Sequence, residues 1–117
     1  MKIIHTALND CFILEPTVYS DSRGFFFESY NRRTFHALSG LDMEFVQDNQ
    51  ALSHYGTVRG LHYQEGEYAQ AKLVRVLQGK VIDVAVDLRS GSPTFMQHVA
   101  IELSAENNRQ LFVPRGF

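Results

Sequence analysis

The sequence predicts an all-β protein with one short helix. Three observations carry this. Apolar and polar residues alternate with a period of two along most of the chain, turn residues recur at intervals of about eight to twelve, and a single segment has helical spacing. Many short strands at that interval close into a sandwich or a barrel. A chain of 117 residues holds one modest core, so residues 1–117 are expected to form a single domain.

Each element follows from its own residues. Residues 3–5 and 12–14 are short apolar strands. Residues 24–30, GFFFESY, form an aromatic strand with Phe25 and Phe27 on one face and Phe26 and Glu28 on the other. Residues 31–39 are the helix, with Phe35 and Leu38 three apart and Gly40 as a left-handed stop. Residues 44–52 read as a strand, Tyr55-Gly56 as a turn, and residues 58–64 as the next strand. A polar loop follows at 65–68. Residues 71–77 and 81–88 make a hairpin joined near Gln78-Gly79-Lys80, with Ile82, Val84, Val86 and Leu88 on its interior face. Val81, Asp83, Ala85 and Asp87 take the other face. Ser90-Gly91-Ser92-Pro93 turns the chain, and residues 95–103 and 110–113 are the last strands. An antiparallel barrel of this kind has a dry mouth that holds a small ligand.

Composition excludes several classes of function. A net charge of −2 offers no nucleic-acid surface. No apolar run is long enough to span a bilayer, and the start, MKIIHTALNDCF, lacks the apolar stretch of a secretion signal. Cys11 is the one cysteine, which excludes an intrachain disulfide and fits a reducing, cytoplasmic setting.

The stretch 56–79, GTVRGLHYQEGEYAQAKLVRVLQG, concentrates the chemistry. Five residues separate Gly56 from His62, Gln64 lies two further on, and six residues separate Lys72 from Gly79. This spacing resembles the metal-binding motif of cupin barrels, whose slots hold two histidines, a glutamate and a glycine. Here Gln64 replaces the second histidine, and Lys72 best matches the glutamate. His62 accepts and releases a proton near neutral pH. A lysine ammonium aimed inward stabilises an oxyanion forming on a carbonyl. Together they are parts for abstracting a proton beside a carbonyl without a metal. Asp83, opposite on the hairpin, is a candidate partner for Lys72. The competing reading is a metal site in which Glu65 and Glu67 replace the missing ligands, although both fall in a loop.

Further candidates lie upstream. Phe26 beside Glu28 and near Arg23 offers a platform for a planar ring and a phosphate. The same aromatic strand also suits an edge buried in a subunit interface, and the two readings coincide if a site is built across a dimer. Gln47, Asp48 and Asn49 are polar groups in an apolar strand, either satisfying one another or offering directed hydrogen bonds. Arg59 has the opposite strand parity to His62 unless Gly60 introduces a bulge.

The blocks DSRGFFFES, FVQDNQALS, VRGLHYQ, AKLVRVLQGKVIDVAVDLR, SPTF and LSAENNRQLFVPRGF, in that order, resemble the dTDP-4-dehydrorhamnose 3,5-epimerase family. The likeness covers essentially the whole chain. It implies a cupin-type double-stranded β-helix, or jelly roll, and a dTDP-linked 4-keto-6-deoxyhexose as substrate. It also implies inversion at C3 and C5 without a cofactor. It makes His62 the general base and Lys72 the residue that stabilises the enolate oxygen. Arg23, Glu28, Gln47, Asp48, Asn49 and Arg59 match nucleotide- and phosphate-binding positions, and Tyr19 and Phe26 match aromatics around the base. It further implies a homodimer in which residues 19–28 reach into the partner's site.

The chain departs from the family pattern at its end, VPRGF, which resembles the opening of the second cupin motif. By the resemblance, the family's acid tyrosine and the aspartate that orients its base fall past residue 117. Tyr55, Tyr63 and Tyr68 do not match that tyrosine. Residues 1–117 are thus expected to be the N-terminal and central part of the family domain, with exposed strand edges. Three readings stay open: a piece of a longer epimerase, which is preferred; a short member that binds a nucleotide sugar without epimerising it; and a catalyst of proton exchange alone.

Overall fold

The computed structural model describes residues 1–117 and has the expected all-β architecture with one short helix. Its strands are β1 (Lys2–His5), β2 (Phe12–Glu15), β3 (Tyr19–Asp21), β4 (Gly24–Phe26), β5 (Lys72–Arg75), β6 (Lys80–Val86), β7 (His98–Ser104) and β8 (Gln110–Val113). The helix α1 spans Arg32–Ser39, and a 3-10 turn spans Gly66–Tyr68. All strand pairs are antiparallel. They form one four-stranded sheet, ordered β1-β2-β8-β5, and two hairpins, β3-β4 and β6-β7.

The four-stranded sheet is apolar on both faces because its alternate residues meet two different layers. Ile4, Ile13, Leu111 and Val74 are in register across the four strands. This row packs towards the β6-β7 hairpin in a core with Leu8, Cys11, Ala85 and Leu103. The adjacent row, Phe12, Phe112 and Leu73, faces the other way, with the Phe12 and Phe112 rings stacked at 4.7 Å. Phe35 of α1 caps this second core and meets Phe112 edge-on at 5.5 Å. Burying an aromatic or leucine side chain of this kind contributes about 1.5–3 kcal/mol each.

Helix α1 begins and ends as its residues dictate. The Asn31 side chain accepts from the Thr34 N–H at 3.2 Å, and Gly40, at φ +72°, donates its N–H to the His36 carbonyl at 2.8 Å. Phe35 is buried, whereas Leu38, its expected companion, stays exposed.

Four expectations need correction. Residues 44–52 and 58–64 join no sheet; between α1 and β5 the chain contains only a turn at Tyr55-Gly56 and the 3-10 turn. Their apolar side chains stand in solvent, with Val58 89% and Leu61 74% exposed. Alternation marks strand propensity, but a strand forms only where a neighbour completes its hydrogen-bond ladder. The expected hairpin of 71–77 with 81–88 does not form either. Strand β5 pairs with β8 and β6 with β7, so the turn at Gly79 passes the chain from one sheet to the other. The interior face of β6 is also the reverse of that expected: Ala85 and Asp87 are buried, while Ile82 and Val84 are exposed. Finally, the aromatic strand is shorter and pairs with an unexpected one, β3. Phe25 and Phe27 do share a side, their rings 6.0 Å apart.

Candidate functional site

Lys72 opens β5 opposite Val113. It shares a face with Val74 and Val76, both packed on the inner core, so it belongs to the side of the sheet that looks towards β6-β7. From the facing layer, Asp83 occupies the same inward face of β6 as Ala85 and Asp87. Burial raises the proton affinity of the Asp83 carboxyl, and the positive charge of Lys72 opposes that rise. The two residues lie on strands of different sheets, so the expected pairing across a hairpin does not occur.

His62 lies in the strandless segment ahead of β5 and is exposed. No strand holds it on a common face with Gln64. Gly60 shapes its surroundings: at φ +112° it adopts a conformation that favours glycine, and a methyl group there would stand 3.2 Å from Nδ1 of His62. The expected bulge at Gly60 does not form, because no strand runs through this segment. Arg59 folds back on the preceding segment, donating to Oγ of Ser53 at 2.9 Å and to the Leu52 carbonyl at 3.3 Å.

The β3-β4 hairpin forms an open groove of about 460 Å³ whose lining includes Tyr19, Asp21, Arg23, Phe25 and Phe26. Three residues singled out in the sequence, Tyr19, Arg23 and Phe26, therefore come together. Arg23 is already engaged by Asp21, with Nη2 to Oδ2 at 2.6 Å and Nε to Oδ2 at 3.2 Å. That fork lowers the proton affinity of the Asp21 carboxyl. Phe26, 71% exposed, lines the same groove as Arg23. Glu28 does not line this groove; it accepts from Nδ2 of Asn31 at 3.0 Å. Gln47 donates to Oδ1 of Asn49 at 3.1 Å, and Asp48 between them is exposed. In the loop proposed for metal ligands, Tyr63 donates to the Glu65 carboxylate and Glu67 sits in the 3-10 turn. No group of three or more His, Cys, Asp or Glu side chains is gathered where it could hold a metal ion.

Sequence reasoning missed one polar cluster. Asp87, fully buried at the end of β6, accepts from Nε and Nη2 of Arg89, both at 2.9 Å, from Oγ1 of Thr94 at 2.7 Å, and from Ser92. Arg89 continues to Oδ2 of Asp10 at 2.7 Å and lies 4.7 Å from the Phe117 ring centroid. The signal was present in the pattern Asp-x-Arg-x-x-Ser-x-Thr, but it was masked by assigning Asp87 to the outer face.

Antiparallel sheets packed face to face over a shared apolar core define a cupin-type β protein. The chain belongs to the dTDP-4-dehydrorhamnose 3,5-epimerase family, whose model matches residues 5–117. It is 58% identical over 117 residues to the Salmonella typhimurium protein named dTDP-4-dehydrorhamnose 3,5-epimerase, covering all of this chain and 64% of that one. A crystal structure of the Elizabethkingia anophelis dTDP-4-dehydrorhamnose 3,5-epimerase superposes with a TM-score of 0.95 at 57% identity, over 100% of this chain and 64% of that one. The Legionella pneumophila dTDP-6-deoxy-D-glucose-3,5-epimerase, solved with dTDP-4-keto-L-rhamnose, superposes with a TM-score of 0.93 at 51% identity, covering 99% and 61%. The chain thus spans about 64% of the length of the Salmonella and Elizabethkingia proteins. These likenesses establish the cupin-type jelly roll. No helix is long and apolar enough to cross a membrane.

Proposed function

We propose that this chain carries the base-and-cation part of an epimerase acting at C3 and C5 of a dTDP-linked 4-keto-6-deoxyhexose. The observation that carries the proposal is the family match across residues 5–117, which contains both His62 and Lys72. The C–H bonds beside the C4 ketone are weakly acidic. His62 takes one of these protons, the electron pair moves into the carbonyl, and the Lys72 ammonium stabilises the enolate oxygen. Inversion is completed when an acid returns a proton to the opposite face of the sugar. None of Tyr55, Tyr63 and Tyr68 is assigned that part. The chemistry needs no cofactor and no metal.

Substrate recognition is assigned to Arg23, Phe26, Glu28, Gln47, Asp48, Asn49 and Arg59. The groove at β3-β4 supports the roles of Arg23 and Phe26, because both line it. That hairpin is exposed along its length, which supports a homodimer in which it reaches the partner's site. Residues 1–117 are read as one cupin-like unit, acting in the cytoplasm in deoxysugar biosynthesis. The test is incubation with the 4-keto sugar nucleotide in D₂O, followed by proton NMR. Deuterium is expected at C3 or C5, and its absence from both positions refutes the proposal for this chain.

A second reading draws on the same groove. The β3-β4 hairpin stands apart from the segment that carries His62, so nucleotide binding does not depend on proton transfer. A binding module without turnover predicts calorimetric affinity for thymidine diphosphate with no deuterium exchange.

A further inference from the structure

We infer that Gln110 is a positioning residue for the β3-β4 arm: its buried side-chain amide fastens the base of the arm to the four-stranded sheet and so fixes where the groove with Arg23 and Phe26 points. The inference rests on the reading of that groove as the place where the nucleotide is held. Strands β3 and β4 pair only with each other and are exposed throughout, so their own ladder does not set their direction against the rest of the chain. The chain enters the arm from β2 through the buried Pro16. Apart from the local bond between Asn31 and Glu28, two hydrogen bonds tie residues 16–29 to the rest of the molecule. At the entry, the Met1 amine donates to Oγ1 of Thr17 at 2.8 Å, in solvent. At the exit, Nε2 of Gln110 donates to the Ser29 carbonyl at 2.6 Å.

The placement of Gln110 makes the case. It stands in register between Leu14 of β2 and Arg75 of β5 and is 2% exposed. Two positions from Phe112, it lies on the face of the sheet that Phe35 caps. An amide in such apolar surroundings is costly to bury without a partner, and a leucine or methionine would fill the same place without that cost. Its side chain instead reaches out of the core to a backbone carbonyl three residues past the end of β4 and two before the Asn31 cap of α1. From Asn31 onward the chain is held by the cap and by Phe35 in the second core. Ser29 is therefore the last point at which the sheet grips the arm. Six residues of chain separate it from Arg23, a reach of at most about 20 Å when extended. A slight swing at the base is magnified over that length, and about 1 Å of misplacement is enough to spoil a productive geometry.

Two measurements on the full 117-residue chain decide the matter, each made on the parent, on Gln110→Met and on Gln110→Leu, two apolar fillings of the same place. The first records residual dipolar couplings of the backbone amides. Those of β1, β2 and β8 are expected to stay as in the parent, and those of residues 19–26 to shrink as the arm loses its fixed direction. Arm couplings equal to the parent's overturn the tie. The second is calorimetry with thymidine diphosphate. The apolar variants are expected to bind about tenfold more weakly while their urea midpoints stay close to the parent's. Gln110→His, whose Nε2–H stands where the amide nitrogen does, is expected to recover most of the affinity. Apolar variants that bind as tightly as the parent overturn the positioning role, and so does a histidine variant no better than they are. Absence of binding by the parent refutes the reading of the groove alone, and the dipolar couplings then decide the tie by themselves.

Discussion

Arg89 grips Asp87 through two parallel hydrogen bonds, Nε to Oδ1 and Nη2 to Oδ2, each 2.9 Å long. The carboxylate is fully buried, while the guanidinium reaches the surface and joins Asp10 and the Asn9 carbonyl. This fork ties the end of β6 to the loop between β1 and β2, two segments some eighty residues apart in sequence. Gly116 lies close over the same arginine, where a methyl group would stand 2.6 Å from Cγ of Arg89.

Arg89→Met leaves a buried carboxylate without its cation. Breaking a buried pair in this way costs about 3–5 kcal/mol. Urea denaturation should show the midpoint falling sharply, with the slope unchanged. A shift smaller than that of an ordinary surface substitution would show that the pair contributes little to the fold.

The two aspartates of β6 should give opposite responses to pH. Arg89, ahead of Ser92 and Thr94, holds the Asp87 carboxyl well below the usual range. Its stabilisation is therefore present above the unfolded-state value, about 3.9, and is lost as pH falls towards the folded value. Burial raises the Asp83 carboxyl instead. Its favourable contribution is present below the unfolded value and is lost as pH rises through the folded one. Asp83→Asn should accordingly raise the urea midpoint at pH 7, and the gain should vanish in acid. A variant destabilised at pH 7 would contradict the sign.

Cys11 provides a reporter of unfolding. Burial pushes its thiol up to about 11, against a smaller opposite effect from the Thr6 hydroxyl. Inside the inner core it is neither ionised at pH 8 nor reachable. A disulfide reagent should leave the native chain untouched and label it stoichiometrically in urea. Rapid labelling without denaturant would place Cys11 outside the core.

Nucleotide binding separates the two arginines named for it. Arg23 sits in the β3-β4 groove with Asp21, whereas Arg59 is folded onto Ser53 and Leu52. If the proposed recognition role holds, both Arg23→Ala and Arg59→Ala should weaken calorimetric binding of thymidine diphosphate by about tenfold or more, as expected for loss of a charge-assisted phosphate contact. Unchanged affinity in either variant would remove that arginine from the site.

The legible parts of the fold were those whose signal is local. Asn31 and Gly40 marked the ends of α1, and the apolar runs at Phe12 and Gln110 marked strands, because caps and short patterns depend on few neighbours. Pairing was not legible. Gly79 reads as a hairpin turn whether the chain doubles back or crosses to another sheet, and only the match of β5 with β8 decides between them. The segment around Val58 and Leu61 carries strand alternation, yet it has no ladder partner in the structure. At the candidate site, a pairing of Lys72 with Asp83 was read from an assumed hairpin, but β5 and β6 belong to different sheets. The inward parity of Asp87, by contrast, was hidden because a buried aspartate reads as a surface residue until its arginine is placed.

The central claim is that His62 removes a proton beside a ketone while Lys72 holds the resulting charge. The most direct measurement compares deuterium wash-in at C3 and C5 of the 4-keto sugar nucleotide for the parent chain and for His62→Asn, in D₂O with a metal chelator present. The account predicts exchange in the parent and a loss of about a hundredfold or more in the variant. Equal exchange by both chains would contradict it.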